Sequence, residues 1–188
     1  MVLAAGSSTR MRGANKLIAD LDGAPVVAHV IDAALASRAA EVVVVTGHQA
    51  ARVRAALAGR DVRFAHNRRH ASGLASSLAT GLRGLARGID GALICLGDMP
   101  WVRPGDLDAL IAAFARGAQP ICVPVRAGRR GNPVLWPARH FPALRALSGD
   151  VGARGLLRRH AREVVRVPVR SAGVTRDVDT PADLKKRG

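Results

Sequence analysis

Tyrosine is absent from this chain, and aromatic residues make up only 3% of it. Proteins that hold single-stranded nucleic acid without sequence preference stack its bases on aromatic rings, and that platform is lacking. Basic side chains number 29 against 14 acidic ones, but the arginines are scattered rather than gathered in one block. The net charge of +15 therefore reads as attraction for small polyphosphate or phosphorylated ligands plus a solvated face, with no nucleic acid as partner. Lysine is scarce and occurs only at positions 16, 185 and 186. Cysteine is scarcer still. Cys95 and Cys122 each sit in an apolar run, with no C-x-x-C spacing and no histidine nearby, which predicts buried reduced thiols. No apolar run approaches the roughly 18 residues that span a bilayer, and no basic segment precedes an apolar stretch at the start. The expectation is a cytoplasmic protein that does not engage a membrane. Internal repeats and low-complexity linkers are also missing.

What is present is a chain of 188 residues, 48% hydrophobic, with short apolar runs separated by turn residues. This length predicts one domain over residues 1–188 with a full core. Residues 1–5 read as a first strand. Pro25 suits a helix start, and Val27, Val30, Ile31 and Ala34 share one helical face. Residues 41–46 contain four consecutive valines, a pattern of a parallel strand covered on both sides. A helix to about Leu57, a strand at 62–65, a helix at 72–86 and a strand at 92–96 follow. Pro104 opens a helix with Leu107, Leu110, Ile111 and Phe114 in one stripe, and 121–125 is the next strand. Beyond it, 139–147 and 152–160 read as helical, 164–169 as a strand and 181–186 as a last helical turn. Strands alternating with helices predict an α/β fold, a Rossmann-like, mostly parallel sheet sandwiched by helices. Ligands in such sheets bind beyond the carboxyl ends of the strands.

One such end is Leu3-Ala4-Ala5-Gly6, which runs into Ser7-Ser8-Thr9-Arg10-Met11 and reaches Lys16. A strand, a loop of small residues and two cations make an anion cradle, because backbone N–H groups can point at phosphate oxygens while the side chains neutralise charge. The spacing is neither that of a Walker A loop nor that of a G-x-G-x-x-G dinucleotide turn. Asp98, in Leu96-Gly97-Asp98-Met99-Pro100, closes a second apolar strand on the same predicted edge. A carboxylate there, beside a phosphate loop, is placed to hold Mg²⁺. Asp177 and Asp179 would fall on one face of a strand, and Asp179 is the favoured partner of Asp98. Thr180, Pro181 and Asp183 also suit a helix start. Gly73-Leu74-Ala75-Ser76-Ser77 puts hydroxyls at a helix start, to cap it or to bond a nucleobase edge. Gly128-Arg129-Arg130-Gly131-Asn132-Pro133 is either a solvated hairpin tip or an acceptor-phosphate site. His48 reads as a loop or capping residue.

Several ordered motifs together resemble one family over nearly the whole chain: L-A-A-G-S-S-T-R-M, N-K-L, V-T-G-H, G-L-A-S-S-L, L-G-D-M-P, R-R-G-N-P-V, G-D-V-G-A-R-G-L-L and D-V-D-T-P-A-D-L. The resemblance is to the molybdenum cofactor cytidylyltransferase (MocA-like) family, within the MobA-like NTP transferases. It implies Mg²⁺-dependent transfer of CMP from CTP onto the phosphate of molybdopterin, a phosphorylated pterin, with release of pyrophosphate, and transient contact with a molybdoenzyme. It implies nucleotide-binding roles for Leu3, Ala4, Ala5, Gly6, Ser8, Arg10, Lys16, Gly73 and Ser77. Arg10, Lys16 and Asp98 would be catalytic, Asp98 and Asp179 would hold the metal, and Arg130 and Asn132 would face the acceptor. Guanylyl-transferring relatives carry L-A-G-G where this chain has L-A-A-G, so Ala5 tips the base towards cytosine. Arg12 stands where the family often has glycine. The alternatives are a GTP- or ATP-dependent transferase acting on another phosphorylated acceptor, and a non-enzymatic carrier of a pterin cofactor.

Overall fold

A computed structural model describes residues 1–6, 15–116, 118–150 and 152–185. The strands are β1 (Val2–Ala4), β2 (Asp20–Leu21), β3 (Ala24–Pro25), β4 (Val43–Thr46), β5 (Arg63–His66), β6 (Gly91–Leu96), β7 (Ile121–Arg126), β8 (Arg129–Arg130), β9 (Val134–Pro137) and β10 (Val164–Pro168). The helices are α1 (Val26–Leu35), α2 (Ala50–Ala56), α3 (Leu74–Gly84), α4 (Pro104–Ala115), α5 (Phe141–Arg145) and α6 (Arg154–Arg159). The main sheet runs β10-β7-β9-β6-β1-β4-β5, with β8 hairpinned onto β7. β1 pairs in parallel with β4 and β6, β4 with β5, and β7 with β10; β9 lies antiparallel between β6 and β7. The sheet is thus mostly parallel and flanked by helices, a Rossmann-like α/β fold.

Period-two alternation explains the two faces. Val2 and Ala4 point to one side, with Val44, and pack against Val27, Ile31 and Val53 of α1 and α2 and Leu107 and Leu110 of α4. Met1, Leu3 and Ala5 point to the other, with Val43 and Val45, against Leu78 and Leu82 of α3, Leu144 of α5 and Leu156 of α6. A β-branched run buried on both faces is what a central parallel strand requires. Local signals set the ends of α4: Pro104 occupies its first turn, and the Arg103 N–H donates to Asp106 Oδ2 at 3.0 Å. Among the described residues, no helix is long and apolar enough to cross a membrane.

Three features differ from the sequence reading, and a fourth, the turn after β7, agrees with the hairpin tip read there. A small hairpin, β2–β3, precedes α1. The region read as helical at 139–147 is a 3-10 turn at Ala138–His140 followed by α5, and 152–160 reduces to α6. The pair Ala127 and Gly128, at φ 48° and 76°, makes a tight turn of the kind that joins β7 to β8. Residues 177–179 form no strand.

Candidate active site

The carboxyl ends of β1 and β6 open on a cleft of about 320 Å³. Its walls include Leu3, Ala5 and Gly6 from the end of β1, Lys16, Gly73 and Ser77 at the start of α3, and Asp98 beyond β6. Adjacent strands bring this about. Gly97 N donates to Leu3 O at 3.0 Å, so the loop after β6 is held level with the end of β1. Ala4, which alternates to the opposite face, is buried at 1% exposure against the α1 side and does not line the cleft.

Charge gathers at one end. Lys16 Nζ lies 2.6 Å from Asp98 Oδ2 and 2.9 Å from Asp179 Oδ1. Asn15 sets the lysine's direction: its Oδ1 accepts from Leu17 N at 3.0 Å, starting the 3-10 turn Lys16–Ile18, while Leu17 is buried. Burial is the largest single influence on the Lys16 ammonium and pushes its pKa down, but Asp98 and Asp179 together outweigh it, so the pKa ends raised. Lys16 is a fixed cation. Asp98, Asp177 and Asp179 each offer an oxygen, all within 4.8 Å of one another. Desolvation first, then the negative charges of Asp179 and Asp98, raise the Asp177 carboxyl.

Asp177 and Asp179 reach this place without a strand. Val178, between them, is fully buried against Leu21 and Val26, worth about 1.5–3 kcal/mol for a side chain of this kind. Its N–H donates to Asp98 O at 2.8 Å. With Val178 turned inward, its two neighbours face the cleft end. Asp183 finishes the corner, its Oδ2 accepting from Thr180 N at 2.8 Å and Thr180 Oγ1 at 2.8 Å. This arrangement fits a hard divalent cation, which takes carboxylate oxygens. Asp98 Oδ1 is buried with no hydrogen-bond partner among the described residues. An unsatisfied carboxylate oxygen costs free energy unless something binds it.

The opposite wall is the start of α3. Gly73 has φ +102°, and any Cβ there would run into the backbone of Gly149 and Asp150. That close approach lets Gly149 O accept from Ala75 N and Asp150 Oδ1 accept from Leu74 N, each at 3.1 Å. The two α3 hydroxyls do not cap the helix. Asn67 Nδ2 donates to Ser76 Oγ at 2.8 Å and to Ser77 Oγ at 3.0 Å, and Ser76 Oγ donates back to Gly73 O. Ser77 is thereby fixed, at 5% exposure, on the cleft wall.

The cleft brings together Leu3, Ala5, Gly6, Lys16, Gly73, Ser77 and Asp98 of the residues singled out from sequence, with Asp179 joined through Lys16. Ser8, Arg10 and Arg12 lie outside the described residues. Asn132 instead lines a neighbouring apolar cavity of about 180 Å³, which shares Leu3, Leu74 and Leu96 with the first. Arg130 is exposed on the β8 hairpin and lines neither cavity. His48 ties its N–H to Ala5 O at 3.2 Å and faces the ring of His70, centroids 6.0 Å apart. His70, Asp150 and Leu74 are wall residues that sequence reasoning missed. For Asp150 a signal existed, a Gly-Asp pair in the G-D-V-G motif; for His70 there was none.

Residues 1–164 match the MobA-like NTP transferase domain. The chain belongs to that family. As a MobA-like NTP transferase domain it is 40% identical over 121 residues to the bifunctional protein GlmU of Allorhizobium ampelinum, a match covering 62% of this chain and 26% of that protein. The chain thus spans about a quarter of the length of the curated relatives it matches. Its fold superposes on the crystal structure of Rv0371c from Mycobacterium tuberculosis H37Rv with a TM-score of 0.82 and 30% identity, covering 98% of this chain and 94% of that one. A complex of Rv0371c with manganese superposes with a TM-score of 0.79 at 29% identity, covering 98% and 94%. A nucleotidyl transferase from Methanothermobacter thermautotrophicus gives 0.80 at 27% identity, covering 97% and 91%.

Proposed function

We propose that residues 1–188 act as one nucleotidyltransferase domain that moves CMP from CTP onto the phosphate of molybdopterin and releases pyrophosphate. The observation that carries the reading is the cluster of Asp98, Asp177 and Asp179 around Lys16, at the mouth of a cleft walled by Ala5, Gly6, Gly73 and Ser77. A carrier that only held a cofactor has no use for three converging carboxylates. The manganese complex of Rv0371c supports a divalent ion for the family, and Mg²⁺ is our choice here.

Asp98 and Asp179, with Asp177 beside them, would hold that ion, which would neutralise charge on the α-phosphate. Ala5 and Gly6 leave room for the nucleotide to lie close to the backbone. Ser77, held by Asn67, presents a fixed hydroxyl to the base, and Ala5 favours cytosine by the family pattern. Lys16 stands between two carboxylates and is charged, so a phosphate oxygen entering the cleft meets a cation already positioned. An acceptor phosphate oxygen attacks the α-phosphorus in line. One P–O bond forms, the bond from the α-phosphorus to the bridging oxygen breaks, and pyrophosphate leaves with that electron pair. The nucleophile is already anionic near neutral pH, so no general base is needed and catalysis reduces to positioning and charge. Arg10 would neutralise the leaving group, and the cavity with Asn132 would take the acceptor.

The second reading is a transferase using GTP or ATP, or acting on another phosphorylated acceptor. What favours it is the 40% identity to GlmU over 62% of the chain, a likeness that does not single out a pterin acceptor. Pyrophosphate release with Mg²⁺ and a verified molybdopterin acceptor, comparing CTP, GTP and ATP, tests both. Acceptor-dependent release with CTP ahead is the expected result. Release with none of the three overturns the main reading.

A further inference from the structure

Away from the cleft, on the α5–α6 side of the sheet, three further metal-binding side chains converge. His140 ends the 3-10 turn after β9, His160 follows α6, and Glu163 precedes β10. His140 Nε2 lies 3.0 Å from Glu163 Oε2, and His160 Nδ1 lies 2.7 Å from Glu163 Oε1. The three ligand atoms all sit within 4.8 Å of one another. None of the three residues lines either of the two cavities already described.

We propose that His140, His160 and Glu163 form a second metal site, selective for an imidazole-seeking divalent ion such as Zn²⁺ and distinct from the carboxylate cluster at Asp98. Tetrahedral zinc, with arms of about 2.0–2.1 Å to nitrogen and oxygen, needs ligand atoms roughly 3.3 Å apart. Each imidazole nitrogen already lies closer than that to one oxygen of Glu163, His140 to Oε2 and His160 to Oε1, so a single ion is reached by turning the carboxylate and the half-buried His160 ring towards a common centre.

The rings are not free to wander. His140 has a side chain only 8% exposed, packed edge-on to Trp136 at 5.8 Å and against the His160 ring at 4.5 Å. His160 and Glu163 are spaced i, i+3 and rise from one turn. Two ligands on one turn and a third locked into the core form a pocket whose ordering entropy is already largely spent on folding. Donor type separates this site from the other. Three carboxylates suit Mg²⁺ or Mn²⁺, while two imidazoles and one carboxylate suit zinc. A bound ion would tie the segment after β9 to the connection from α6 to β10.

Arg139 competes. Its Nη2 donates to Glu163 Oε2 at 2.9 Å and its Nε at 3.3 Å, and its charge opposes a cation. Metal entry must therefore loosen this pair, which gives the test a result that a purely structural His-Glu-Arg network would not produce.

The experiment is a Co²⁺ titration of the untagged full chain in saturating Mg²⁺, read by visible absorption. Low-coordinate cobalt with imidazole ligands absorbs intensely, whereas cobalt on water and carboxylates absorbs weakly. The expected result is an intense band, discharged by Zn²⁺. His160→Ala should weaken binding by at least about tenfold, the least that changes around a metal typically cost. Arg139→Gln should tighten it. His160→Ala should leave pyrophosphate release unchanged, which separates this site from the transfer reaction. No intense band in the wild-type chain, a band that survives His160→Ala, or an Arg139→Gln variant that binds no tighter would each overturn the proposal.

Discussion

Two charged clusters sit in this molecule, and their balances run in opposite directions. At the end of β6, three carboxylates converge, Lys16 pairs with two of them, Asp98 and Asp179, and the buried Asp98 Oδ1 has no hydrogen-bond partner among the described residues. Near β10, one carboxylate is shared by a guanidinium and two imidazoles, and both Glu163 oxygens are bonded. Among the described residues, the first cluster leaves one buried carboxylate oxygen, Asp98 Oδ1, unsatisfied. The second is satisfied as it stands and takes an ion only by exchanging partners. Under the proposed function, the cluster with an unsatisfied carboxylate oxygen is the one that turns over, and the satisfied cluster serves the fold.

The largest effect that would break this contrast comes from Asp98. Asp98→Ala should lower the transfer rate by at least ~100-fold, as expected for losing one fixed electrostatic group. Its thermal unfolding should fall only modestly, because the variant loses the Oδ2 ion pair with Lys16 together with an Oδ1 that folding does not satisfy. Steady-state pyrophosphate release and a melting curve measure both. Near-normal turnover would remove Asp98 from the mechanism and with it the idea that the incomplete cluster is the working one.

A sharper division comes from Lys16. Lys16→Met removes the ammonium that pairs with both Asp98 and Asp179 while keeping most of the length of the side chain. Transfer should fall by about 10–100-fold, since one positioned charge is lost. Divalent binding should rise at the same time, because two carboxylates lose their neutralising partner. Mn²⁺ titration alongside the rate assay reads the two effects, and a parallel fall in both would mean that Lys16 supports the metal site instead of competing for it.

The contrast also explains what the sequence could show. Asp98 was legible because a Gly-Asp pair at the end of a buried apolar strand fixes its place on the sheet edge whatever the rest of the chain does. The βα alternation up to residue 116 was legible for a related reason: parallel strands need helical crossovers, and each leaves its own period. Asp177 and Asp179 were rightly put on one side but for the wrong reason, since the buried Val178 turns them there and no strand forms. The antiparallel direction of β9 depends on pairing with β6 and β7, both distant in sequence, and no local pattern encodes it. Asp150 reaches the cleft through a loop whose closure needs the missing side chain of Gly73, and His70 through one that packs against Gly47. His140, His160 and Glu163 are spread over 24 residues with no recognisable spacing, so only the folded chain brings them together.

The smallest effect belongs to the satisfied cluster and appears in stability, not rate. Bonding to Arg139 first, then to His160 and His140, lowers the Glu163 carboxyl from 4.5 to about 2. A carboxyl whose folded pKa lies below its unfolded value releases its proton more readily in the folded state, so it adds stability wherever it is ionised. That contribution is complete above about pH 4.5 and fades as the pH falls through about 2. The groups facing it are exposed to solvent in part, so salt should shrink the effect. Melting temperatures of the parent and Glu163→Gln, taken from neutral to strongly acid pH, isolate it from the other carboxylates, which titrate in both proteins. The parent should melt higher at neutral pH, with the gap closing only below about pH 4.5 and narrowing in high salt. A gap that persists unchanged into strong acid would show that packing of the side chain, not its charge, holds this corner together.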